Sequence, residues 1–285
     1  MTLAAPSLDV LGLTTVGGNV SLARATRNAL ALLEYAEHCQ VPVARGSARP
    51  IRGRFPYAYG VHSASGLTRR LPNPQSRPIS TRAIDFLDDQ LARFPGQVTI
   101  IALGPLTNLA RLTRQHPGSL HQAANVVVMG GAVNVPGNVT RHAEFNFYSD
   151  PDAAQMVLSS GVPITLIDLA ACHQVAVTRR DIGRLNAGTN SGKFVFQLLA
   201  NWFGRDSGRE RFAFYDPLAV AVAIDPAVVT TRGLALTVET VDGERLGAAT
   251  VSEHGSIVNV AQAVDAHRFF ELLEELLGLQ GLPGR

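Results

Sequence analysis

The chain has 285 residues, 46% of them hydrophobic and 17% charged, and a formal net charge of +2. That length and balance bury a full core and make a soluble globular enzyme the default class. Charge is spread without a block of one sign, which argues against a nucleic-acid or membrane-surface footprint. Cys39 and Cys172 stand far apart in no metal-like spacing, so neither a disulfide framework nor a zinc site is expected and a reducing, cytoplasmic setting follows. Residues 1–10 lack a basic start with a long apolar run, and no stretch of eighteen apolar residues occurs, so neither export nor a membrane span is expected.

Along the chain, apolar runs of strand length alternate with helix-period segments, the pattern of an α/β fold around a mostly parallel sheet. Residues 8–16 read as a buried strand. Leu22, Ala25, Ala29, Leu32, Leu33 and Ala36 then recur at helical spacing behind Ser21, a natural N-cap. A short strand at 41–44 precedes a long Arg-, Gly- and Pro-rich segment at 45–78, of the kind that carries function. A helix at 80–94, a strand at 98–103, a helix at 105–115 with Pro105 at its first position, and a strand at 125–129 follow. Ligands bind beyond the carboxyl ends of strands in open parallel sheets, so Leu103-Gly104 and the loop 129–149 should face one crevice.

The second half reads as a helix from Asp152, a strand at 163–168, helices near 178–185, 193–202 and 217–224, then short antiparallel strands at 228, 234–241, 247–251 and 257–260. Phe269, Phe270, Leu273, Leu276 and Leu277 mark an amphipathic closing helix. With no linker, repeat or low-complexity tract, one domain spanning 1–285 is expected. Generic motifs fall away: Gly188-Thr189-Asn190-Ser191-Gly192-Lys193 is one residue short of a phosphate loop, and Phe194 replaces its Ser or Thr. No GxGxxG follows a strand, no serine sits in GxSxG, and the sequon at Asn138 means nothing without export.

Four separated segments carry a more specific signal. They are Leu13-Thr14-Thr15-Val16-Gly17-Gly18-Asn19-Val20 with Thr26-Arg27-Asn28-Ala29; Val61-His62 with Gly66-Leu67; Ala102-Leu103-Gly104-Pro105-Leu106-Thr107-Asn108; and Val128-Met129-Gly130-Gly131-Ala132 running on to Gly137-Asn138 and Ala143-Glu144-Phe145-Asn146. Tyr215-Asp216-Pro217 is a weaker fifth. In this order the chain resembles the inosine-uridine preferring nucleoside hydrolases over essentially its whole length. The resemblance implies an open, mostly parallel, mixed sheet flanked by helices, Rossmann-like. It implies hydrolysis of a ribonucleoside to ribose and free base in nucleoside salvage, one calcium ion, and a homo-oligomer, dimer or tetramer.

Carried over by position, Asp216 and the Leu103 carbonyl would hold calcium. Asn19, Asn138, Glu144 and Asn146 would bond the ribose, with Met129 and Phe145 packed against it and His62 near the base or the far side of the sugar. Tyr215 and Asn138 are the catalytic candidates. Tyr215 stands where many members have a histidine that protonates the leaving base, and a phenol is a poorer acid than imidazolium at neutral pH. The family opens on an Asp-rich DxDxGxDD motif that precedes the segment resembling residues 8–20. Met1-Thr2-Leu3-Ala4-Ala5-Pro6 resembles the tail of the helix after it, so a first strand missing by truncation is expected. The alternative is a paralogue that binds nucleoside or ribose without cleaving it.

Plainer roles stand beside these. Asp150-Pro151 and Asp216-Pro217 are ordinary cap-plus-proline pairs, Asn19 fits a helix cap, His62 a solvated loop side chain, and Met129 a core residue. His38, His116, His121, His173, His254 and His267 read as solvated surface groups. In an extended segment Glu144 and Asn146 would face opposite to Phe145 and Phe147.

Overall fold

A computed structural model of the chain describes residues 1–58 and 65–283, so His62 lies outside the described residues. The first strand, β1 (Leu13–Thr15), is shorter than the expected 8–16, because pairing with the neighbouring strand begins only at Leu13. α1 (Leu22–Tyr35) starts behind Ser21 as expected, but the serine hydroxyl makes no capping bond. β2 (Val43–Arg45) runs parallel to β1, and α2 (Ala83–Arg93) and β3 (Thr99–Ala102) follow the irregular segment. α3 (Thr107–Gln115) has Leu106 as its N-cap, so Pro105 lies outside the helix and not at its first position. β4 (Asn125–Met129) has the expected bounds.

α4 (Phe145–Ser149) is helical where an extended segment was expected, because Glu144 caps it. α5 (Pro151–Leu158) has Asp150 as cap and proline in its first turn, as expected. β5 (Ile164–Ile167), α6 (Leu169–Cys172), β6 (Ala176–Thr178), α7 (Arg179–Ile182), β7 (Asn186–Ala187), α8 (Asn190–Gly204) and β8 (Arg211–Ala213) lead into α9 (Tyr215–Ile224). Phe214 is the N-cap of α9, so the plain reading of Asp216 as a cap fails: it sits inside the first turn. β9 (Val229–Val238), β10 (Ala249–Val251), β11 (Ser256–Val264), α10 (Ala266–Leu277) and β12 (Leu279–Gln280) complete the order. β9 and β11 outrun their expected lengths because they pair along almost their whole span, through an irregularity between Ala261 and Ala263.

Six strands form one mixed sheet in the order β10-β9-β11-β5-β4-β3, with β11, β5, β4 and β3 parallel and β9 and β10 antiparallel. Strand alternation sorts its residues onto two apolar layers. Val126 and Val128 meet Leu109, Leu112 and Val157 on one face, while Val127 and Met129 meet Leu218, Phe269 and Leu273 on the other. Helices thus cover both faces of the parallel part, which is why its strands read as continuous apolar runs.

β1 and β2 form a separate two-stranded sheet, and β3 ends the larger one. Asn108 of α3 ties the two together: its Oδ1 accepts from the Ser47 N–H at 2.9 Å, and its Nδ2 donates to the Thr15 carbonyl at 3.1 Å. Gly18 faces Pro105 and Gly104 faces Val16, so the carboxyl ends of β1 and β3 form one rim.

Behind that rim Asp150 is fully buried. Its carboxylate accepts from the Thr107 hydroxyl at 2.5 Å, the Ile51 N–H at 2.9 Å and the Ala153 N–H at 3.1 Å, joining α3, the irregular segment and α5. Asp150→Ala strands those donors and is expected to cost about 2–4 kcal/mol. The change would be read as a lower urea midpoint at constant m-value; an unmoved midpoint would show that the three donors find other partners.

Candidate active site

The rim leads into a crevice built by the strand ends and the first turns of α4 and α9. Glu144 is its most constrained group, only 2% exposed. Its Oε2 accepts from Gly131 N at 3.0 Å, Asn146 N at 2.9 Å and Phe147 N at 3.2 Å, whereas its Oε1 accepts only from Asn146 N, at 2.9 Å. Three N–H groups thus occupy a carboxylate that can accept about four, and Oε1 carries only a share of one of them, so it retains room for a hydroxyl. This packing depends on Gly130, where an added Cβ would lie 2.6 Å from the Phe147 ring.

Asn146 is buried beside it and donates through Nδ2 to the Met129 carbonyl at 3.1 Å and the Met129 sulfur at 3.5 Å. Met129 itself is buried in the core layer under α9, so both its plain role and its place at a strand end hold. Asn138 is exposed; its Oδ1 accepts from Phe145 N at 2.9 Å and closes the loop onto α4, leaving its amide hydrogens open. Phe145 is half-buried. Leu103 is 37% exposed just past β3, an unusual position for leucine at a sheet end. Asn19 is exposed on the rim; its carbonyl accepts from Ala58 N at 3.0 Å and its side chain caps nothing.

Burial pushes the Glu144 carboxyl up to about 7 against the pull of its three N–H donors, and the negative charge of Asp216 adds to the rise. Asp216 is exposed as a residue, yet the atoms packed around its carboxyl strip it of solvent and push it up to about 7. Unlike Glu144, Asp216 makes no hydrogen bond with the described residues. Tyr215, half-buried at the first position of α9, has its phenol pushed further up, chiefly by burial and also by the Glu144 carboxylate, so it stays neutral at pH 7 and offers a hydrogen bond.

Glu144, past the carboxyl end of β4, and Asp216, in the first turn of α9, are close enough for the charge of one to act on the other, with the amides of Asn146 and Asn138 beside them; a polyhydroxylated ligand developing positive charge would need such a set. The sequence profile of the inosine-uridine preferring nucleoside hydrolases matches residues 1–271. The chain belongs to that family. Uridine nucleosidase 1 of Arabidopsis thaliana is 37% identical over 84% of this chain and 73% of its own length. Among solved structures, the plant nucleoside hydrolase PpNRh1 superposes with a TM-score of 0.90 at 34% identity, covering 97% of this chain and 92% of that one. The purine-preferring ribonucleoside hydrolase of Gardnerella vaginalis gives 0.88 at 28% identity, with 97% and 92% covered.

Calcium takes about six to eight oxygen ligands. Among the described residues of this nucleoside hydrolase no group of three His, Cys, Asp or Glu stands where an ion could be held. Glu144 Oε2 is filled by backbone donors and only Oε1 keeps room, so with Asp216 the described residues offer too few carboxylate oxygens for such a shell. These residues do not make a calcium site by themselves, and no step below runs through a metal.

Sequence reasoning passed over two residues of this nucleoside hydrolase. Asp168 is buried at the N-cap of α6 and accepts from Ala171 N at 3.1 Å and from Val133 N at 3.0 Å, so it holds the loop that follows Met129. An Asp ending an apolar strand before a helix pattern was the available signal. His173 lies edge-on to Tyr215, ring centroids 6.4 Å apart, and its imidazole is held below its usual range by burial and by Arg211. Nothing in its local sequence points to that neighbour, because the contact joins α6 to α9.

Proposed function

We propose that the crevice hydrolyses the N-glycosidic bond of a ribonucleoside, releasing ribose and the free base. The pairing of a buried, backbone-gripped Glu144 with an unpartnered Asp216 in one crevice carries this reading. As the C1′–N bond breaks, its electron pair leaves with the base and C1′ becomes oxocarbenium-like. Fixed negative charge from Asp216 stabilises that carbon; water then adds to it and loses a proton, while the departing base takes one up, so that ribose and the neutral base result. Glu144 Oε1, Asn146 and Asn138 accept from and donate to the ribose hydroxyls. Tyr215 donates a hydrogen bond at the base.

The test is ribose release from a panel of purine and pyrimidine nucleosides. Turnover of any one supports the proposal; binding without sugar release would assign a nucleoside binder instead. The assay is run with and without added calcium, and equal rates would take Asp216 and Leu103 out of a metal role. A homo-oligomer, read by light scattering, and a cytoplasmic location, which free Cys39 and Cys172 fit, complete the proposal.

The relatives' names point both ways on the base, to uridine in one and to purines in another, so Tyr215 is the lever. Tyr215→His supplies a group that titrates near neutral pH, and it is expected to raise kcat on purine nucleosides relative to uridine by about tenfold or more. An unchanged ratio would place position 215 away from the base.

A further inference from the structure

A second concavity lies on the flank of α1, and it shares no lining residue with the crevice. Its volume is about 510 Å3, within the range of about 300–1,000 Å3 that small-molecule sites occupy. Arg24 and Arg27 of α1 and Arg69 and Arg70 of the facing segment line it, together with Asn28 and Asn73, and no Asp or Glu does. Glu34, the acidic residue farther along α1, is turned away: it accepts from both the N–H and the hydroxyl of Ser76, at 2.6 Å each.

The arginines divide the work. Arg27 is a strut, donating to the carbonyls of Leu71 at 2.7 Å and Pro72 at 3.0 Å and to Asn73 Oδ1, so it fixes the wall of the pocket. Arg69 is held over two aromatic rings: its Cζ lies 5.2 Å from the Tyr35 ring centroid and 4.9 Å from that of Phe194, with a hydrogen bond to the Tyr35 hydroxyl at 3.3 Å. Cation–π contact fixes the guanidinium while leaving most of its N–H donors unused. Arg70 is exposed and makes no ion pair or hydrogen bond with the described residues. Like charges gathered around a cavity without a carboxylate raise the free energy of the empty site, and a dianion relieves that repulsion.

We propose that this pocket binds a phosphate group, carried either by free inorganic phosphate or by a nucleoside monophosphate, gripped by the fork of Arg69 and the charge of Arg70. Guanidinium matches phosphate through paired N–H···O bonds, which a carboxylate-free cavity of this size accommodates. The site is separate from the glycosidic chemistry, so its ligand is bound and not consumed.

The whole chain is titrated calorimetrically with inorganic phosphate and, separately, with uridine 5′-monophosphate at fixed ionic strength. One saturable site in the millimolar range or tighter is expected for at least one of them. Phosphate alone would assign the free anion, and the nucleotide alone would assign a phosphate ester. Arg70→Glu is expected to weaken binding about tenfold or more, and Arg69→Lys to weaken it by a smaller factor, since charge is kept and the fork is lost. Ribose release by both variants should match that of the parent, which confirms folding independently of the pocket. No saturable binding of either probe, or equal affinity in Arg70→Glu, would overturn the proposal.

Discussion

Glu144→Ala is expected to lower kcat/KM for ribonucleoside hydrolysis by about 100-fold or more and to destabilise the fold by about 2–5 kcal/mol. Both losses come from one carboxylate, which caps α4, holds Gly131 at the end of β4 and keeps an acceptor position on Oε1 for the sugar. Glu144→Gln keeps the shape but presents an amide nitrogen to at least one of three backbone N–H groups, so it should recover little of the stability. The pH dependence separates the two roles. The folded carboxyl titrates near 7 against an ordinary 4.5, so the folded state holds its proton more tightly than the unfolded chain. Its contribution to stability is therefore fully present below pH 4.5 and lost as pH rises to about 7. Activity should run the other way over that window, because the ionised carboxylate is the better acceptor and the better partner for positive charge. Thermal melts and kcat/KM between pH 5 and 8 would check this, and parallel trends in the parent chain would remove Glu144 from the chemistry.

Asp216→Asn is expected to cost activity on a similar scale, about 100-fold or more, with melting unchanged or slightly higher. The reason is local. Asp216 sits in the first turn of α9 with no hydrogen bond to the described residues, and desolvation disfavours its charge, so the fold gains nothing from it. A group that the fold carries at its own expense is retained for function. Comparing the two variants is informative: loss of stability and activity together at 144, but of activity alone at 216. A strongly destabilised Asp216→Asn chain would show that the carboxylate has a structural partner after all.

The parallel strands were legible because they are buried on both faces: 126–129 is an unbroken apolar run behind Asn125, and the structure keeps the expected bounds of 125–129. Residues 8–12 are as apolar as a strand but lack a partner beside them, and pairing is not written in one segment's composition. The site was legible through the family resemblance, which singled out Glu144, Asn146 and Asp216. The conformation of that stretch was not, since α4 exists because a buried carboxylate caps it from within the core, a tertiary cause that periodicity does not carry. Likewise Asp216-Pro217 has the look of a cap, but the helix begins earlier at Tyr215, and the carboxylate caps nothing. Asp168 and Asp150 are buried polar ties between elements distant in sequence, and such ties become visible only when the chain is folded.

The rim and the floor of the crevice do not share one cooperative fate. Asn19 rides on a sheet of two three-residue strands whose own apolar cluster is small, and the side chains of Asn108 and Arg111 hydrogen-bond the chain at and beyond its strand ends to α3. Glu144 and Met129 are rooted in the six-stranded sheet between two full layers. Local opening follows the weakest attachment. In deuterated water the amides of β1 and β2 should therefore exchange well ahead of those of β4, and the crevice can breathe at its lip, admitting a nucleoside, while its charged floor stays shut.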